Sequence, residues 1–412
     1  MKKIFLSIGF IYCAVAGFAQ QKETLQVISL LNNAFRNKST EALQDVLAKD
    51  FSMGTYMGSA AIFGLKSALG NYKLDSFVLE KVQQQDSFFV ADLKVVGAKE
   101  TATKLYLSKA YKIQRMDLLD GLYGMERDKP AIKVATIPFE EDNGSIILNI
   151  TLNESKRRLR FLFDTGADGM MISTALADSV GLKITKEQNA SVVGGNIDIK
   201  ISAGNIVRLN DFELPQQNIA VYGEANPQHD GIIGNTITKR YITHIDYDKK
   251  EMTLYTLGQY TPESAKMKMP VETSTGNILF PAVIYMQEDK PIPGHFTFDT
   301  GAGYYLIVFR PTVLKHRMLV SGFVQDSASS TVSMGIATPV FHGKAKSITL
   351  APSWKVNTFP VTLMGGSAAN ANWNPETSGS LGIRFISQYN FTINLVDRYI
   401  SFTPRKGSLS HL

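Results

Sequence analysis

Two aspartates close two nearly identical phrases. Phe161-Leu-Phe-Asp164-Thr165-Gly166-Ala167 returns as Phe296-Thr-Phe-Asp299-Thr300-Gly301-Ala302. Each phrase is an apolar strand that ends in Asp-Thr-Gly. A single triplet would say little, because Asp and Gly are ordinary turn residues. Two copies with the same lead-in and the same trailing Ala imply two equivalent strand ends. Face to face, their carboxylates could not both ionise cheaply, so one would hold a proton and the other would act as base. Such a pair can activate water and protonate a carbonyl oxygen without a metal or a covalent intermediate. The two groups titrate as a unit, so the sequence assigns neither one as the acid.

The neighbouring residues suit that chemistry. The hydroxyls of Thr165 and Thr300 can bond across the junction and fix both loops. Gly166 and Gly301 let backbone amides approach the carboxylates with no side chain in the way. A second phrase also recurs. Asp230-Gly-Ile-Ile-Gly234 ends 70 residues after Asp164, and Gly379-Ser-Leu-Gly382 ends 83 after Asp299. Gly234 and Gly382 are expected behind the aspartate loops, where a side chain would push the loops apart.

The elements that must position these residues are strands. Ile146 to Ile150, the polar turn Asn153 to Arg157 and the strand Leu159 to Phe163 form one hairpin. Leu279 to Tyr285, the turn Glu288 to Gly294 and Phe296 to Phe298 form its counterpart. After the second phrase each half has a helix-like stretch and a closing strand pair. These pairs are Arg240–Tyr247 with Met252–Tyr255, and Gln388–Leu395 with Tyr399–Phe402. One β unit is therefore used twice, joined near Gly258 to Pro270.

These residues together resemble the pepsin and retropepsin aspartic peptidases, from about Pro138 to Phe402. The resemblance implies a mainly β, bilobal acid-protease fold made of two retropepsin-sized lobes in tandem, at 132–258 and 268–405. It implies that Asp164 and Asp299 are the catalytic dyad of an aspartic endopeptidase with a polypeptide substrate. It places a glycine-containing flap at Val193, Gly194 and Gly195, and a second at Met334 and Gly335; the alternative is an ordinary hairpin turn. No equivalent of the pepsin flap tyrosine stands out. Ser380 replaces a usual aliphatic residue, which bears on local packing and is expected to leave the dyad untouched. The alternative to an enzyme is a catalytically inactive retropepsin-like module that binds peptides.

Other chemistries find no support. The six histidines form no His-Glu-x-x-His pattern, so a zinc site is not expected. There is no Gly-x-Ser-x-Gly elbow, and the glycine-rich stretches lack a phosphate-loop Lys-Ser/Thr. The expectation is no metal and no cofactor. Asp168 reads as a solvated loop residue rather than a third catalytic group, and Arg384 and Arg398 as surface or strand-end charges rather than substrate clamps. The net charge of +6 is mild and scattered, which argues against nucleic acid.

Residues 1–19 read as a signal peptide: Lys2-Lys3, an apolar run, then Gly17-Phe-Ala19 before Gln20. Its removal takes the sole cysteine, Cys13, and leaves a charge of +4. A cysteine-free exported chain suggests a bacterial protein, periplasmic or extracellular, monomeric, with no stable membrane insertion after processing. Residues 20–127 read as a separate α+β accessory domain. Leu25, Ile28, Leu31, Ala34 and Phe35 mark the inner face of a first helix, and a second short helix is expected from Ser39-Thr40 through Leu47. Strands follow at Phe77–Leu79, Phe88–Val96 and Leu105–Ile113. The order resembles the nuclear-transport-factor-2-like fold. Its expected role is accessory, with an inhibitory prosegment as a further possibility. Asp120 to Val134 is expected to be a linker.

Overall fold

The computed structural model describes residues 4–223, 228–262, 267–333, 335–366 and 372–406. The chain divides into two compact units. One comprises Met1–Lys129 with Thr273–Thr275, the other Pro130–Glu272 with Gly276–Leu412.

In the first unit, a helix spans Ile4–Asn37 and a second spans Gly58–Asn71. A four-stranded antiparallel sheet runs Ser76–Gln84, Phe88–Val96, Thr101–Ser108, Ile113–Met116. The first helix buries Val27, Ile28, Leu31, Ala34 and Phe35, which is the spacing of one helical face. Leu25 departs from the expected face and is exposed.

Three other expectations are corrected in this unit. The second short helix shrinks to one turn, Glu41–Leu43, because the following backbone is committed elsewhere. Ile113 N–H donates to the Val46 carbonyl, and Ala48 N–H to the Ile113 carbonyl. The expected strand Leu105–Ile113 is two strands separated by a turn at Tyr111, whose φ is 56°. The expected linker is structured: a short helix, Asp117–Gly121, precedes a strand, Met125–Pro130. Asp120 is buried there, accepting from Arg127 Nε at 2.7 Å and from Gly54 N–H at 2.8 Å. Gly124, at a φ of 72°, makes the turn between these two pieces.

The second unit holds two sheets built alike. In the first lobe, Leu159–Phe163 pairs with Ser145–Leu152 on one side. On the other side it lies parallel to Gly231–Ile233, which then pairs antiparallel with Met170–Ile172. In the second lobe, Pro291–Phe298 pairs with Leu279–Tyr285 and lies parallel to Gly379–Leu381, which pairs antiparallel with Leu306–Val308. Each aspartate strand is thus central in its sheet. Its residues alternate into the core, with Phe161, Phe163, Phe296 and Phe298 fully buried. A further six-stranded sheet takes strands from both lobes. Ile242–Asp246 and Tyr389–Asn394 pair antiparallel within it, with Ile245 opposite Phe391. Phe298 packs edge-on against Phe391 and Phe402 above this sheet. One continuous apolar core therefore joins the two lobes.

Candidate active site

The two aspartate strands end side by side. The Thr165 N–H donates to Thr300 Oγ1 at 3.0 Å, and the Thr300 N–H donates to Thr165 Oγ1 at 3.1 Å. Each hydroxyl then donates across the junction at 2.6 Å: Thr165 to the Phe298 carbonyl and Thr300 to the Phe163 carbonyl. Both threonines are fully buried. All four bonds run between the lobes, so neither loop can move without its twin.

Asp164 and Asp299 share this floor, and the charge of Asp299 opposes ionisation of Asp164. Gly166 N–H donates to Asp164 Oδ1 at 2.9 Å. Gly301 and Ala302 N–H donate to Asp299 Oδ1 at 3.1 and 3.0 Å. A Cβ on Gly166 would stand 2.5 Å from Asp299 Cγ, and one on Gly301 would collide likewise with Asp164. Each glycine thus lies against the opposite carboxylate, at a distance no side chain permits. Gly234 and Gly382 lie behind the loops. A Cβ on Gly382 would sit 2.5 Å from the Ala302 carbonyl oxygen, and one on Gly234 2.7 Å from that of Gly169. Asn235 was not singled out from sequence. It is fully buried and donates through Nδ2 to the Thr165 carbonyl at 2.8 Å.

Burial raises both carboxyl pKa values above the ordinary range. Asp164 is raised well above it, burial leading and the Asp299 charge adding to it. Asp299 is raised by burial but opposed by several donors, first among them the Ser380 hydroxyl. Ser380 is buried in the strand beside Asp299, while its counterpart Ile232 offers no donor. The expectation that Ser380 leaves the dyad untouched is therefore corrected: the serine hydroxyl opposes the rise at Asp299.

A cavity of about 1260 Å³ opens over the dyad. Two hairpins border it. The first, Ile184–Val192 and Gly195–Leu209, turns at Val193 and Gly194, whose φ is +95°. The second, Val324–Ser333 and Ile336–Ala351, turns at Gly335, φ +79°; Met334 lies outside the described residues. The tips meet, with Gly194 and Gly195 against Ile336. Val193 packs on a small cluster of Ile307, Phe309, Val340 and Met364 in the second lobe. Asp168 is exposed and ion-paired with the nearly buried Lys239. Burial lowers the Lys239 pKa to about 8. Arg384 lines the cavity, whereas the sequence suggested a surface charge. Tyr304, His342 and Thr362 also line it; none was singled out from sequence, and the place of the last two depends on the register of distant strands. No cluster of His, Cys, Asp or Glu that could hold a metal occurs among the described residues.

Residues 148–237 match the family model described as aspartyl protease. That segment carries Asp164, the first hairpin tip and Gly234. No curated protein matches the chain. Among solved structures, an aspartic proteinase from Irpex lacteus is similar over 67% of this chain and 98% of its own, at 10% identity and a TM-score of 0.44. The chain is similar to pepsin/retropepsin-type aspartic peptidases, and the second lobe rebuilds the matched segment strand for strand.

Two predictions follow from this geometry. Thr300→Val leaves the buried Thr165 N–H and Phe163 carbonyl without partners, costing about 1–3 kcal/mol. A denaturant midpoint equal to that of the parent protein would contradict it. Ser380→Ala removes a donor to the Asp299 anion, so the Asp299 pKa rises. Any activity requiring that anion should then fall off at a higher pH on its acid side. A pH profile with an unmoved acid limb would contradict the assignment.

Proposed function

We propose that this chain is an exported aspartic endopeptidase. The observation that carries the reading is the pair of carboxylates brought together by reciprocal threonine bonds at the floor of a cavity of about 1260 Å³. Protease-like character is supported by the aspartyl-protease match over the first lobe. The cavity exceeds the volume of ordinary small-molecule sites, about 300–1,000 Å³. Its volume and its place between two hairpins suit a polypeptide. Both aspartates come from one chain, so a monomer suffices.

In the proposed reaction, Asp299 is the base and takes a proton from a water. The water oxygen bonds to the peptide carbonyl carbon. Asp164 gives its proton to the carbonyl oxygen, forming a neutral tetrahedral diol. The C–N bond then breaks as the nitrogen takes the proton held by Asp299 and one diol hydroxyl returns its proton to Asp164, releasing an amine and a carboxylic acid and restoring the dyad. Low dielectric strengthens each of these interactions relative to water. Ser380 fits this division of labour, because its hydroxyl favours the anion on Asp299.

Asp164→Asn and Asp299→Asn should each reduce cleavage of a mixed peptide library by at least about 10³-fold, by analogy with losing a member of a concerted unit. Wild-type rates in either variant would defeat the dyad reading. Wild-type activity should also decline as pH rises through the raised Asp164 value, because the acid is then lost. Export rests on residues 1–19. Expression in a bacterial host should give a mature chain beginning at Gln20 outside the cytoplasm, and an unprocessed cytoplasmic chain would refute it.

A further inference from the structure

The two walls of the cleft occupy equivalent positions but differ in chemistry. Strand register makes the comparison exact in position. In the first lobe, Ile232 pairs with Met171, Met171 with Ala220, and Ala220 with Ile201. In the second lobe, Ser380 pairs with Ile307, Ile307 with Thr362, and Thr362 with His342. All eight residues line the cavity. Thus three of four apolar positions become hydrogen-bonding ones: Ile232 becomes Ser380, Ala220 becomes Thr362, and Ile201 becomes His342.

The polar wall is built rather than incidental. His342 Nδ1 lies 3.0 Å from Thr362 Oγ1, and its Nε2 lies 2.7 Å from Ser329 Oγ. The imidazole also stacks on Tyr304 at 6.4 Å between centroids. The ring is therefore held in one orientation. Its hydroxyl partners keep lone pairs in excess of these bonds, since each hydroxyl has one donor and two acceptor positions. An apolar side chain placed there would displace water without replacing its bonds. The first wall has the opposite preference, since Met171, Ile201 and Ile232 gain from an apolar partner.

We propose that the cleft takes an asymmetric peptide, with an apolar side chain against the first lobe and an uncharged hydrogen-bonding one, such as Asn, against the second. This rests on the peptidase reading and sharpens it by naming the substrate class. The uncharged preference follows from the wall itself, whose groups at these positions are two hydroxyls and an imidazole. Outside the dyad, the charged residues that line the cavity are Asp168, Asp326, Lys344 and Arg384, two of each sign, which together select for neither charge.

The test uses otherwise identical peptides whose bond is flanked by Leu-Leu, Leu-Asn, Asn-Leu, Leu-Asp or Asp-Leu. For the full mature chain, kcat/KM should favour one order of the Leu/Asn pair over Leu-Leu by about tenfold or more. His342→Ile with Thr362→Ala copies the first wall and should abolish that preference. His342→Leu alone, at a partly exposed position, should weaken it and covers the case in which the double variant fails to fold. Equal or better cleavage of Leu-Leu by the parent protein overturns the proposal, as does a folded variant that keeps the parent's preference. Best cleavage of an Asp peptide overturns the uncharged assignment. Dissociation constants of the same peptides for Asp164→Asn separate the two readings. If nothing is cleaved, the peptidase reading fails, while a tenfold binding preference for one Leu/Asn order still supports the asymmetric cleft and its absence overturns it.

Discussion

Everything in this molecule depends on the exchange of bonds between Thr165 and Thr300. Two carboxylates at mutual contact repel when ionised and lose solvation when buried, so no chain brings them together unaided. The threonines supply the restraint. Each gives its hydroxyl to a carbonyl of the other lobe and accepts the other's backbone N–H. The four bonds are buried, so releasing any one leaves an unpaired polar group out of water. Behind them, Gly234 and Gly382 allow backbone contact that a Cβ would forbid. The paired strands from both lobes lock the base. The cost of placing the aspartates is thus spread over a large, continuous core.

The tandem architecture has a chemical consequence that two identical chains could not have. Duplication within one chain lets the halves diverge. Ser380 stands where symmetry would place Ile232, and it gives one aspartate a hydroxyl neighbour that the other lacks. His342 and Thr362 extend the difference along the same row of the sheet. The two lobes remain alike in backbone and in the loops that must match, while their cleft walls separate into an apolar and a polar side.

Much of this was legible in the sequence because it was repeated there. The duplicated Asp-Thr-Gly-Ala phrases, the later glycine phrases and the flanking hairpins are local signals, and the structure brings Asp164 and Asp299 together at their convergence. What could not be read depends on distant partners. The hydroxyl of Ser380 gains its meaning only when its strand lies beside Pro291–Phe298. The contrast of Ile201 with His342 needs the register of four strands. In the first unit, the helix Gly58–Asn71 escaped notice because its glycines and small residues weaken the helical signal. The segment from Asp120 looked like a linker because the Arg127 that pairs with the buried acid gives no periodic cue.

The central claim is that one proton is shared between the two aspartates well above the pH at which an ordinary carboxyl loses it. Infrared difference spectra of the protein with carboxyl-labelled aspartate, recorded through a pH titration, measure this directly. A single protonated carboxyl band should persist well above pH ~4, the ordinary aspartate value, and should vanish in the spectrum of the protein with both aspartates replaced by Asn. Loss of all aspartyl carboxylic-acid signal near pH ~4 would mean that the two groups ionise independently, and the account would fail.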